Sequence, residues 1–151
     1  MKVSNNEQWI KFLSTGFYSG YVPVLPGTVG SLVGVVVYLI IGRIALLHLL
    51  LLIVLVFIGP WLCARAEEIF HQKDSQKIVL DEIIGYLLSV YLLPFKWRYI
   101  ISAFVLFRLF DMLKPGLIKS ADELESSKGV VLDDILAGLF TNIILQIICH
   151  L

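Results

Sequence analysis

Apolar residues in this chain gather into five stretches separated by brief polar punctuation, and their spacing and length predict helices throughout. Before them, Trp9, Ile10, Phe12, Leu13 and Phe17 fall on one broad helical face behind a capping region at Ser4 to Asn6. That segment reads as a short helix, lying in a membrane interface or packed on the rest of the bundle. Tyr21 to Ser31 is turn-rich, with Pro23, Pro26, Gly27 and Gly30. A helix is then expected from Thr28 to Gly42, a tight turn at Arg43, and a 21-residue apolar span from Ile44 to Ala64 interrupted only by His48. About 20 apolar residues cross a hydrocarbon core, and Pro60 near the end of this run is tolerable in such a helix.

Arg65 to Lys77 reads as a polar loop. Two helices follow, Val79 to Leu93 ending before Pro94 and Trp97 to Leu113 ending before Pro115. Gly116 to Gly129 reads as a second polar loop, and a last helix as starting at Leu132. The expected fold is all-α, a polytopic helical membrane protein of about five apolar helices plus an N-terminal interfacial helix, forming a single membrane-embedded domain over residues 1–151. All but the Ile44–Ala64 helix are short for full spans, so they cross a thinned bilayer or shield one another.

Composition strengthens the membrane reading. The chain is 58% hydrophobic and 16% charged, against about 25% charged in soluble domains. Net charge is zero, and no basic run or aromatic-basic strip points to nucleic acid. Cys63 and Cys149 both sit in apolar runs and match no zinc or disulfide spacing. The N-terminus shows no pattern of a cleavable signal peptide. Eight basic residues (Lys2, Lys11, Arg65, Lys73, Lys77, Lys114, Lys119, Lys128) fall on one side of the expected crossings and three (Arg43, Lys96, Arg98) on the other. The excess puts the N-terminus and both long loops in the cytoplasm.

The same crossings bring four polar clusters to that face: Pro26-Gly27-Thr28, Asp81-Glu82, Arg108 with Asp111 and Lys114, and Asp133-Asp134. Carboxylates near hydrocarbon are costly without a partner or a task. Acids at a helix start can merely answer the macrodipole, and Arg108 with Asp111 can merely form an intrahelical salt bridge. Together they offer more. Carboxylates from different helices suit the octahedral oxygen shell of Mg²⁺, and an arginine fork grips phosphate oxygens. Pro26-Gly27-Thr28-Val29-Gly30-Ser31 is a loop entering a helix, a candidate phosphate cradle. Val79-Leu80-Asp81-Glu82-Ile83 is echoed by Val131-Leu132-Asp133-Asp134-Ile135, each followed by a glycine, Gly85 or Gly138, that lets helices approach closely. No nucleophile motif surrounds His48, His71 or His150, and no Walker, Rossmann or HExxH pattern occurs.

Four ordered segments, GFYSGYVPVLPGTVGS, IVLDEIIG, FRLFDMLKP and GVVLDDILAG, closely resemble the phosphatidylglycerophosphatase A family of small bacterial Mg²⁺-dependent membrane phosphatases. The resemblance implies hydrolysis of phosphatidylglycerophosphate to phosphatidylglycerol, in phospholipid biosynthesis, at a cytoplasm-facing site of the inner membrane. It implies metal positions at Asp81, Glu82, Asp111, Asp133 and Asp134, catalytic roles for Asp81, Asp111, Asp134, Arg108 and Lys114, and substrate contacts at Pro26, Gly27, Thr28 and Ser31. Tyr18 departs from a common glycine, and Gly116-Leu117 from a frequent Trp-Pro. The rival reading is a small transporter or channel subunit using its interfacial carboxylates as an ion path; a third is a scaffold whose charges only pair structurally.

Overall fold

A computed structural model describes residues 5–122 and 127–151, with side chains of 121–130 outside the description. Among these residues the fold is all-helical: α1 (Asn5–Ser14), a 3-10 turn (Ser19–Tyr21), α2 (Pro26–Ile41), α3 (Ala45–Phe70), α4 (Leu80–Ser89), α5 (Trp97–Leu113), α6 (Leu117–Asp122) and α7 (Ser127–His150). Ser4 of the expected capping region, and residues 123–126 of the expected second polar loop, lie outside the described residues.

Two helices are long and apolar enough to cross a bilayer, α3 and the Val131–His150 part of α7; α2 is a shorter apolar helix. The expected count of five apolar crossing helices is therefore reduced to two clear ones. In the most apolar windows of α3 and α7 only 28% and 39% of residues are buried. A soluble core helix would bury most of its surface, so these faces need an apolar surround. Pro60 lies inside α3, as a membrane helix permits.

Several boundaries differ from expectation. α3 continues through Arg65 to Phe70, turning the start of the expected polar loop into helix. Part of the second loop is α6. α7 starts at Ser127, so Asp133 and Asp134 sit two turns inside the helix instead of in its first turn. They cannot serve as its N-terminal cap, whereas Asp81 and Glu82 do occupy the first turn of α4. The N-terminal helix packs on the end of α3, while Trp9 and Leu13 remain exposed.

α4 is the shortest apolar helix, ending at Ser89 where Leu93 was expected. An early end inside a bundle strands backbone carbonyls. Polar side chains from other helices meet them. Asn142 Nδ2 donates to Ser89 O at 3.1 Å and to Tyr91 O at 2.8 Å, and Gln146 Nε2 to Tyr91 O at 3.1 Å. Buried His48 lies 3.0 Å from Leu87 O through its Nε2. His48, which looked uninformative in the sequence, thus has a structural partner.

Glycines set the helix spacing around α4. A Cβ at Gly30 would lie 2.6 Å from Val79 Cβ, and one at Gly34 3.0 Å from Tyr86 Cδ1, so α2 lies close along α4. On the other side a Cβ at Gly138 would run into the carbonyl oxygen of Gly85, and one at Gly85 would lie 2.7 Å from Asp134 O. The close approach expected of this glycine pair is present.

Candidate active site

The N-termini of α2 and α4, the C-terminus of α5 and the second turn of α7 come together at one end of the bundle. Three carboxylates form its centre: Asp81, Glu82 and Asp134 each offer a ligand oxygen, all within 4.8 Å of one another. Asp81 and Asp134 are buried. Glu82 Oε2 and Asp134 Oδ1 are buried without a hydrogen-bond partner, whereas Asp81 Oδ1 accepts the Glu82 N–H at 3.2 Å. Two ionised carboxylates about 5 Å apart repel by about 3 kcal/mol at an effective dielectric near 20. Three such pairs, with buried oxygens lacking donors, fit an oxygen-seeking divalent cation. The donor set, all carboxylate, is that of a hard ion such as Mg²⁺ rather than of a soft metal.

The other two predicted metal-binding acids are placed differently. Asp111 Oδ2 lies 2.5 Å from Arg108 Nη1, an i,i+3 pair within α5. Asp133 Oδ2 accepts from Lys114 Nζ at 2.7 Å, tying the end of α5 to α7. Neither belongs to the close trio, so the expected five-carboxylate metal set separates into three that converge and two that carry cations. Each of the two is engaged by a nearby cation, Asp111 by Arg108 and Asp133 by Lys114. Adjacent residues diverge by about 100°, so the Asp133 and Asp134 carboxylates leave α7 in different directions. Asp111 remains within electrostatic reach of Glu82 and Asp134.

Arg108 sits at the rim of the trio, its side chain 14% exposed. Its Nε is buried without a hydrogen-bond partner, leaving a guanidinium edge for an incoming anion. Lys114 ends α5 in the left-handed region, with φ 43°, a conformation uncommon for a residue with a Cβ.

The PGT segment reaches the same place. Pro26 opens α2, the first helical position that proline favours. A Cβ on Gly27 would collide with Glu82 Oε1 and lie 3.2 Å from Arg108 Nη1. The missing side chain there makes room for the catalytic-looking charges themselves, a role the cradle reading did not foresee. Leu25 before it has φ 51°. Ser31 is a correction: expected among the substrate contacts, it is buried and its hydroxyl donates to Gly27 O at 2.9 Å within α2. It turns inward one helical turn below the rim. Tyr18, at the position where glycine is common, has φ 67°, and its N–H donates to Thr15 Oγ1 at 3.1 Å. A larger groove of about 660 Å³ lies at the far end between α5 and α7, lined by Tyr99, Leu145 and Cys149. No Asp or Glu side chain lines it, and it is remote from this chemistry.

The match to known proteins follows the same residues. The profile of the family described as phosphatidylglycerophosphatase A matches residues 12–149. The chain belongs to the phosphatidylglycerophosphatase A family. A Haemophilus influenzae protein named phosphatidylglycerophosphatase A is 38% identical over 89% of this chain and 85% of its own length. An Escherichia coli protein of the same name is 34% identical over 99% of this chain and 87% of its own. A Bacteroides thetaiotaomicron protein with the provisional name phosphatidylinositol-3-phosphatase is 32% identical over 89% of this chain and 90% of its own. No solved structure matches. Membership of the phosphatidylglycerophosphatase A family makes the chain a phosphatase, and the transporter expectation finds no support in these relatives. With two bilayer-length apolar helices and relatives in bacteria, it is read as a bacterial membrane protein.

Proposed function

We propose that this chain is a phosphomonoesterase that removes the terminal phosphate of phosphatidylglycerophosphate, leaving phosphatidylglycerol in the bilayer as a step of phospholipid biosynthesis. The observation that carries the reading is the convergence of Asp81, Glu82 and Asp134 beside Arg108 at the helix ends. The domain is read as one membrane-embedded phosphatase, multi-pass in the cytoplasmic membrane, its site facing the cytoplasm as the basic residues favour. A phospholipid is its substrate partner.

Asp81, Glu82 and Asp134 would hold Mg²⁺. When bound, the ion supplies Lewis-acid polarisation of the phosphoryl group and acidifies a water. The remaining chemistry belongs to the chain. Arg108 binds phosphate oxygens through its free guanidinium edge and offsets the charge that grows on them. Lys114 holds Asp133 and adds positive potential at the same rim. The first-turn N–H groups of α2, around Gly27 and Thr28, face the anion with the positive end of the helix. The two carboxylates outside the trio differ in access: Asp111 is 15% exposed and Asp133 6%. Water reaches Asp111 more readily, which makes it the better general base, accepting a proton from the attacking water.

Purified protein in mixed micelles tests this reading. Phosphate release from phosphatidylglycerophosphate that requires Mg²⁺, ceases with chelator and is abolished in Asp134→Asn is expected. Release that ignores chelator overturns the metal assignment, and no release with any divalent ion overturns the enzyme. The name of the Bacteroides relative motivates a second reading, an inositol lipid carrying a 3-phosphate. A kcat/KM for phosphatidylinositol 3-phosphate above that for phosphatidylglycerophosphate would select it.

A further inference from the structure

The groove of about 660 Å³ between α5 and α7 lies at the end of the bundle away from the acidic trio. Its volume is within the roughly 300–1,000 Å³ of small-molecule sites. Ile101, Val105 and Leu106 of α5 and Leu145 and Ile148 of α7 form its walls, with Arg98 and Tyr99 at one end. From Arg98 to Leu106, α5 rises about 12 Å, most of the roughly 15 Å of hydrocarbon in one leaflet. Walled by two helices, it is an apolar slot that takes much of an acyl chain.

The slot opens at a cationic level. Arg43, Lys96 and Arg98 belong to the segments that form this end, residues 39–50, 87–102 and 142–151, and none of the chain's 12 Asp and Glu residues falls in them. Arg98 is exposed, lies over the Tyr99 ring at 4.7 Å and donates to the Tyr99 hydroxyl at 3.1 Å. A guanidinium carries five N–H donors, and among the described residues no salt bridge joins Arg98 to a side-chain or terminal carboxylate. Trp97 beside it is 65% exposed, as aromatic residues are at a membrane–water interface. A forked cation at that depth, above an apolar slot, matches a phosphate above an acyl chain. A second copy of this chain, inserted in the same orientation, would bring its own three cations to this level and no acid. Like charges so placed oppose association, so the charge pattern favours an anionic lipid over self-pairing.

We propose that the α5–α7 groove binds an anionic phospholipid of the leaflet remote from the acidic trio, with one acyl chain in the slot and the phosphate on Arg98. The Tyr99 ring and hydroxyl hold the guanidinium at the mouth. The lipid is a resident ligand and not a substrate, because the acids lie at the other end of the bundle. This rests on the membrane reading above and not on the phosphatase one.

Full-length protein in a neutral detergent is titrated with dioleoyl phosphatidylserine and with dioleoyl phosphatidylcholine, and bound lipid is counted by native mass spectrometry. Phosphatidylserine is anionic but carries no terminal phosphate for the acidic trio. The wild type is expected to hold one phosphatidylserine about tenfold more tightly than phosphatidylcholine, a difference of about 1.4 kcal/mol. Arg98→Gln is expected to erase that preference, and Ser102→Trp, which fills the groove, to weaken both lipids. Arg65→Gln on the last turns of α3 and Val54→Trp on its exposed face are expected to change neither. Equal affinity for the two lipids in the wild type, or a preference that survives Arg98→Gln, overturns the proposal. Should a groove variant fail to fold, the wild type can be photolabelled by phosphatidylserine with a diazirine in its tail. Labels within residues 99–106 and 145–149 that unlabelled phosphatidylserine competes away support the proposal; competed labels confined to other helices, or none competed, overturn it. A dimer that Ser102→Trp dissociates, with no competed label, gives the groove to a second copy and overturns it as well. Loss or absence of phosphatase activity leaves these readouts unaffected, so the two readings fail separately.

Discussion

Alanine at Gly27 and alanine at Gly138 add the same methyl group to two glycines of the bundle, yet should fail in opposite ways. At Gly138 the new Cβ meets backbone: the carbonyl oxygen of Gly85 in collision, its carbon at 3.1 Å and its Cα at 3.2 Å. A carbonyl in a packed helix cannot turn aside, so α4 and α7 must separate. Overpacking of this kind costs about 1–3 kcal/mol, and the gain in helix propensity from Gly to Ala returns at most about 1 kcal/mol. The net expectation is a destabilisation of about 1–2 kcal/mol, with partial loss of activity as the acids above the crossing move apart. At Gly27 the Cβ meets the tip of a side chain, Glu82 Oε1, with Glu82 Cδ and Arg108 Nη1 each at 3.2 Å. A carboxylate can swing away. Stability should change by no more than about 0.5 kcal/mol, but Glu82 leaves the trio. A displacement near 1 Å in a reacting constellation costs on the order of 100-fold in rate. Thermal unfolding in detergent and initial rates of phosphate release, measured on both variants, separate the two effects. Wild-type kcat in Gly27→Ala would refute the idea that the glycine is there to position Glu82. A Gly27→Ala protein as unstable as Gly138→Ala, but fully active per folded molecule, would refute it equally.

Other perturbations have definite outcomes. Mg²⁺ at a hundredfold excess over its dissociation constant should stabilise the wild type by about 2.7 kcal/mol, seen as a rise in unfolding midpoint, and this increment should vanish in Asp81→Asn and Asp134→Asn; an equal rise in the variants would place the ion elsewhere. Lys114→Met leaves the Asp133 carboxylate buried beside α5 without its 2.7 Å ammonium partner, at a cost of about 1–3 kcal/mol, and adding Asp133→Asn should recover part of it; zero coupling in that double-mutant cycle would show the pair to be incidental. Asn142→Leu removes the donor to Ser89 O and one of the donors to Tyr91 O, so it should cost about 0.6–1.7 kcal/mol in unfolding with kcat of the folded fraction intact; a loss of kcat without loss of stability would give the amide a catalytic task instead.

The legible parts of this fold were those written in local pattern. The long apolar run from Ile44 onward marked α3, the acids of the first α4 turn stood where a helix start prefers them, and the glycines after each acidic pair pointed to a tight helix contact. The parts that were not legible depend on partners far away in sequence. Nothing between Ser89 and Leu93 breaks a helix by composition, yet α4 ends at Ser89, where Asn142 and Gln146 donate to the carbonyls of Ser89 and Tyr91 and His48 Nε2 meets Leu87 O. The amides at positions 142 and 146, four apart in an apolar run, were the available signal for that break. The Arg108–Asp111 pair was open to local spacing, but sorting Asp133 from Asp134 required knowing that Lys114, 19 residues earlier, reaches Asp133. Ser31 was misplaced for the same reason, since its direction follows from which face of α2 meets α4.

The two acidic pairs also explain how such a repulsive cluster is kept together. Asp81 lies four residues before Gly85, and Asp134 four before Gly138. Four residues advance a helix by 400°, so each aspartate stands within about 40° of its glycine, one turn nearer the charged end. Both helices run away from that end, and they touch backbone to backbone at the glycines. The face that makes the closest contact is therefore the face that carries the aspartates. Backbones held that close leave the carboxylates one turn above no means of separating without opening the crossing, which is buried among apolar neighbours such as Phe107 and Ala137. Burial of the crossing thus opposes a repulsion of about 3 kcal/mol per pair, and a divalent cation relieves that repulsion while leaving the contact intact. Weakening the crossing and removing the ion should consequently be coupled: Gly138→Ala is expected to lose affinity for Mg²⁺ as well as stability, and a variant that loses stability while binding the ion as tightly as wild type would break the link between the helix contact and the acidic site.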